Sequence, residues 1–96
     1  MDLKIYKILY SPNFLKSLQI FEAYYVCICL DFNKIKENIF KSIKKLSYFP
    51  NKHPIYKDNL HKVIIGNFYV LYEVLEEESI IKIINIYNYK YNKILN

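Results

Sequence analysis

The sequence predicts an α+β fold in which a helical hairpin packs on one face of a small, mainly antiparallel sheet. Apolar residues recur at helical spacing along two adjoining segments of the first half. Short β-branched and aromatic runs separated by turn residues fill the second half. The only glycine, Gly66, falls between two of those runs. Strands joined by tight turns are antiparallel, and helices segregated to one side of such a sheet make the class α+β. With 96 residues, 53% apolar and 18% aromatic, the chain suffices for one packed domain over residues 1–96. It is too short for a second core and too apolar for a disordered chain.

Residues Leu3 to Tyr10 are short, β-branched and aromatic, and stop at Ser11-Pro12, which predicts a first strand. Ser11 can accept from an orphan N–H at a helix start, and Pro12 suits the first helical position, where a missing donor costs nothing. Phe14, Leu18, Phe21, Tyr25 and Ile28 then draw one stripe along a helix reaching about Leu30. Asp31 or Asn33 can cap a second helix. There Ile35, Ile39, Ile43 and Leu46 repeat the pattern, and Lys34, Lys36, Lys41, Lys44 and Lys45 take the other positions.

From Ser47 to about Asn59 the period is lost and Pro50 and Pro54 appear, so this segment reads as a connecting loop. Val63 to Ile65 and Phe68 to Leu75 read as strands, and Gly66-Asn67 between them is a hairpin turn that needs positive φ. A turn at Glu76 to Ser79 leads to a last strand, Ile80 to Tyr87. The tail from Asn88 extends that strand or forms a short terminal helix. The expected order is β-α-α-β-β-β.

Composition removes several function classes. A chain with one glycine has no glycine-rich phosphate loop. Cys27 and Cys29 are too close in sequence to staple anything, and read as small apolar helix residues. No oxidising compartment is implied. His53 and His61 have no carboxylate or cysteine partners at ligand spacing, so neither metal nor cofactor is expected. The longest apolar run, Ala23 to Leu30, is far below the roughly 20 residues needed to span a bilayer. The start of the chain lacks the pattern of a secretory leader, and the expected location is cytoplasmic. The net charge of +5 attracts an acidic partner or nucleic acid without choosing between them. All 14 basic residues are lysine. Together with an excess of Ile, Tyr and Asn, this points to a genome rich in A and T rather than to a physical demand.

Alternation separates the two faces of the sheet. Val70, Tyr72, Val74, Ile84 and Ile86 are expected under the helices. Tyr69, Asn85 and Tyr87 then line the uncovered face, with Lys62 and Lys90 at its edge. Tyrosines and lysines together suit bases and phosphates.

At these residues the chain resembles the RelE/ParE superfamily of toxin–antitoxin toxins, often labelled plasmid stabilisation proteins. The stretch LHKVIIGNFYVLYEV from Leu60 to Val74 carries the likeness. A basic residue opens a strand, a small turn and an aromatic follow, and an apolar segment ends in Tyr and an acidic residue. Tyr10-Ser11-Pro12, Leu46-x-x-Phe49-Pro50 and INIYNYKYNKIL from Ile84 to Leu95 agree, so the likeness covers nearly the whole chain. Family members commonly carry Arg where Lys62, Tyr69 and Lys90 stand here. Lysine keeps the charge but lacks the planar fork that orients a phosphate.

The resemblance implies either ribosome-dependent cleavage of messenger RNA, as in RelE-like members, or inhibition of DNA gyrase without bond cleavage, as in ParE-like members. A third reading is a member that keeps only its antitoxin contact. Metal-free RNA cleavage needs a base for the 2′-hydroxyl, cations for the phosphate and an acid for the departing 5′ oxygen. Lys62, Tyr87 and Lys90 are the expected catalytic set, with Tyr87 or a lysine as base, Lys62 and Lys90 as charge stabilisers, and His61 or Lys90 as acid. Lys57, His61, Tyr69, Asn85, Tyr89 and Tyr91 are the expected RNA contacts. The plainer reading makes the tyrosines packing residues and the lysines solvated charges. The implied partners are an acidic antitoxin, and messenger RNA on the ribosome or, alternatively, gyrase; no membrane is involved.

Overall fold

A computed structural model describes residues 4–28 and 30–89. Its elements are β1 (Lys7–Tyr10), α1 (Pro12–Cys27), α2 (Asn33–Lys45), β2 (Ile55–Lys57), β3 (Leu60–Ile65), β4 (Phe68–Leu75) and β5 (Ile80–Asn88). They form one five-stranded sheet in the order β1-β5-β4-β3-β2. β1 runs parallel to β5 and every other neighbouring pair is antiparallel. The α+β class and the helical hairpin are as expected. β2 is an added strand, three residues long, inside the segment read as a loop. A run that short has no alternation to recognise.

Ser11 caps α1 as expected: its hydroxyl accepts from the Phe14 N–H at 3.1 Å. The helix stops at Cys27 rather than Leu30, because the Leu30 N–H reaches back to the Tyr25 carbonyl at 2.8 Å in the wider closing ring of a terminated helix. Ile28 is therefore exposed. At α2, Asp31 Oδ1 accepts from the Asn33 N–H at 2.9 Å. Neither expected residue is the cap: Phe32 holds the N-cap position without a side-chain cap, Asn33 is the first helical residue, and Asp31 precedes both.

The core lies between the helices and one sheet face. Phe14, Leu18, Tyr25, Ile39, Ile43 and Leu46 meet Val63, Phe68, Val70, Tyr72, Ile81, Ile83 and Ile86. Each fully buried isoleucine there contributes about 1.5–3 kcal/mol relative to exposure. Gly66 makes the β3–β4 turn at φ +60°.

One expectation about the faces fails. Leu71 pairs with Asn85 but Tyr72 pairs with Ile83, so Ile84 is the extra residue of a bulge in β5. Ile81 and Ile83 lie in the core before the bulge and Ile86 after it, whereas Ile84 is only half-buried. The bulge shifts the alternation by one, which removes Ile84 from under the helices and leaves Ile86, Asn85 and Tyr87 on the expected sides.

Candidate functional site

Lys62 is the centre of the site. It faces away from the helices on β3, opposite Leu71 of β4, and so lies diagonal to Tyr69 within reach of a long side chain. Its Nζ stands 4.4 Å from the Tyr69 ring centroid, 4.8 Å from Tyr56 and 5.1 Å from Tyr89. Three electron-rich faces around one ammonium are worth roughly 1–2 kcal/mol together at a partly exposed site.

Four elements bring these rings together. Tyr69 and Tyr87 are direct cross-strand partners, and their rings stack at 5.1 Å with planes 24° apart. Tyr89 follows β5, where its N–H donates to the Asn67 carbonyl at 3.0 Å. Its ring lies 4.9 Å from Tyr69. The turn that needs Gly66 thereby also anchors a ring of the site. Tyr56 comes from β2. Sequence reading left it out of the site because its strand was not recognised.

Asn85 sits beside the bulge and links the site to α1. The Ser17 hydroxyl donates to Asn85 Oδ1 at 2.7 Å. The same oxygen accepts from the Ile86 N–H at 2.8 Å, and Asn85 Nδ2 points at the Tyr87 hydroxyl at 3.5 Å. Ser17 is a second residue that sequence reading missed, since the bond joins α1 to a strand far away in sequence.

His61 does not join the cluster. It lies next to Lys62 on β3 and so points to the opposite face, opposite Tyr72. It is 9% exposed and stacks on Tyr72 at 5.0 Å, with Nδ1 2.8 Å from the His53 carbonyl. That placement corrects its expected part as acid and RNA contact on the open face. Nearby His53 is held below the usual histidine range by partial burial, and then by the charges of Lys52 and His61. Lys57 is exposed at the end of β2. Lys90 and Tyr91 lie outside the described residues. Among the described residues no group of three or more His, Cys, Asp or Glu is placed to hold a metal ion.

The arrangement can hold a positive charge beside stacked phenol rings on the sheet face turned away from the helices, which suits a phosphate next to an unstacked base.

No family model matches the sequence, and no curated protein matches it. Solved structures do. The RelBE2 toxin–antitoxin complex of Mycobacterium tuberculosis matches with a TM-score of 0.64 at 14% identity, over 88% of this chain and 98% of that one. A double arginine-to-alanine mutant of E. coli RelE toxin in the free state matches with a TM-score of 0.66 at 12% identity, over 95% and 90%. The archaeal RelE–RelB complex from Pyrococcus horikoshii matches with 0.64 at 18% identity, over 88% and 96%. The class is thus a two-layer α+β domain with aromatic and basic side chains on the sheet face turned away from the helices. More particularly, the fold is that of RelE toxins.

Proposed function

We propose that this protein is the toxin of a toxin–antitoxin pair, a RelE-like endonuclease that cuts messenger RNA on the ribosome without a metal ion. The observation that carries this reading is the Lys62 ammonium seated among Tyr56, Tyr69 and Tyr89, with Tyr87 stacked on Tyr69.

The 2′-hydroxyl oxygen attacks the adjacent phosphorus and its proton passes to a base, Tyr87 or a lysine. Negative charge gathering on the non-bridging oxygens is met by Lys62. The bond from phosphorus to the 5′ oxygen breaks, and that oxygen takes a proton from Lys90, which leaves a 2′,3′-cyclic phosphate and a 5′-hydroxyl. Tyr69 and Tyr89 hold the flanking bases by stacking. Lys57, Asn85 and Tyr91 complete the RNA contacts. The partner is an acidic antitoxin, drawn in by the net charge of +5, and the complexes formed by RelE-fold neighbours with RelB support that part of the reading. The site of action is the cytoplasm. Among the described residues no helix is long and apolar enough to cross a membrane.

Inducible expression with mapping of transcript ends tests the proposal. Growth arrest with cut transcripts is expected, and Lys62→Ala, Tyr87→Phe and Lys90→Ala should each relieve it. Equal toxicity in all three variants would overturn the site. Replication arrest with intact transcripts would make the protein a gyrase inhibitor, and unimpaired growth would leave only the antitoxin contact.

A further inference from the structure

A cleft opens on the helix side of the sheet, where α1 and α2 meet the β3–β4 turn. Ile35, Ile65 and Phe68 give it apolar walls, and Tyr25, Asn38 and Asn67 bring polar atoms to it. Its volume is about 170 Å³, close to the size of about 150 Å³ at which an apolar cavity takes one benzene. It has room for a single six-membered ring.

Two features define that ring. None of the described residues lining the cleft is charged, so a phosphate or carboxylate would give up water there without meeting a counter-charge. The polar atoms, in turn, are unspent. Among the described residues neither the Tyr25 hydroxyl nor the side-chain amides of Asn38 and Asn67 make a hydrogen bond. Tyr25 is only 8% exposed, yet no buried side-chain polar atom among the described residues lacks a partner, so its hydroxyl is open to water. A carboxamide presents an N–H donor beside a C=O acceptor. A cyclic lactam presents the complementary pair on one edge, and its ring covers Ile35, Ile65 and Phe68. A purely apolar ring would cover the same surface and cut the amides off from water unpaired.

The same turn reaches the Lys62 face. The Asn67 carbonyl accepts from the Tyr89 N–H at 3.0 Å, and the Tyr89 ring centroid lies 5.1 Å from Lys62 Nζ. We propose that this cleft binds a small neutral lactam-type ring, and that the Asn67 turn joins its occupancy to the seat of Tyr89. The site is separate from the RNA-contacting face and goes beyond the nuclease reading.

Nuclear magnetic resonance titration of the full chain with 2-pyridone is the test. Gly66 is the only glycine and lines the cleft, so its amide is a reporter that is identified without ambiguity. The Gly66 and Tyr89 amides should shift together and saturate. N-methyl-2-pyridone, which lacks the N–H, and benzoate, which carries a charge, should each bind about fivefold more weakly. Asn38→Ala and Asn67→Ala should each weaken 2-pyridone by about the same factor with the remaining spectrum unchanged, whereas Tyr69→Ala, on the other face, should keep its affinity. A Gly66 shift that does not saturate, equal binding of 2-pyridone and its N-methyl form, or indifference to both asparagine changes overturns the cleft. So does a loss on Tyr69→Ala as large as that on Asn38→Ala, which would assign the ring to the Lys62 face. A Tyr89 amide that stays still while Gly66 shifts overturns the link between the two faces. No RNA enters the titration, so its failure leaves the nuclease reading standing, and a protein that cuts no transcript leaves the cleft standing.

Discussion

The Ser11 hydroxyl ties the start of α1 to the bulge at Ile84. It accepts from the Phe14 N–H at 3.1 Å and donates to the Ile84 carbonyl oxygen, while the Ser11 N–H donates to the Ile83 carbonyl at 3.0 Å. One side chain thus satisfies a helix end and the carbonyl of the residue that disrupts the β4–β5 ladder. Ser11→Ala removes both bonds and should cost about 1–2 kcal/mol. Urea denaturation with an unchanged slope would register it as a lowered midpoint.

Glu76 ties the β4–β5 turn to the segments that precede β1 and β2. Tyr6 OH donates to one carboxylate oxygen, Asn51 Nδ2 to the other at 3.2 Å, and Lys4 Nζ to the backbone carbonyl at 3.0 Å. The Tyr6 bond, then the Asn51 bond, hold the carboxyl below the usual glutamate range. A group with a depressed folded pKa contributes stability above its unfolded value and loses it as pH falls through the folded one. Melting temperatures taken from about pH 7 to about pH 3 should show wild type above Glu76→Gln at neutrality, with the two converging in acid.

Tyr72 carries the opposite sign. Its hydroxyl donates to the Pro50 carbonyl at 2.8 Å, and burial pushes its pKa up to about 12. The protonated form belongs to the folded state. Its contribution is therefore complete below the ordinary tyrosine value and drains away as pH rises from about 10 toward about 12. Tyr72→Phe should cost about 1 kcal/mol at neutral pH and flatten the alkaline loss of stability, read by denaturant titration across that range.

For the open face, the ring of Tyr69 matters more than its hydroxyl, since it faces both Lys62 and Tyr87. Tyr69→Phe should keep oligouridylate affinity within about threefold, and Tyr69→Ala should lower it by roughly five- to thirtyfold, the value of one stacking or cation–π contact. Anisotropy titration at fixed salt compares them, and equal losses would assign the effect to the hydroxyl instead.

Much of the fold was legible because its signals are local. Ser11-Pro12 marks the start of α1, the stripe from Phe14 to Tyr25 and that from Ile39 to Leu46 mark buried faces, and Gly66-Asn67 marks the hairpin. Each depends on residues a few positions apart. Lys62, Tyr69 and Tyr87 were placed on one face for the same reason, since alternation along a strand is a property of the chain alone.

Tertiary structure decided the rest. Isoleucines occupy positions 80, 81, 83, 84 and 86, so hydrophobicity alone cannot reveal where β5 slips by one; the ladder with β4 sets that place at Ile84. The approach of Tyr56 to Lys62 depends on the pairing of β2 with β3, and that of Ser17 to Asn85 joins elements far apart in sequence. A chain encodes its own periodicity, whereas a bulge, an edge strand and a cluster drawn from four elements come from the match between separate segments, which exists only once they have packed.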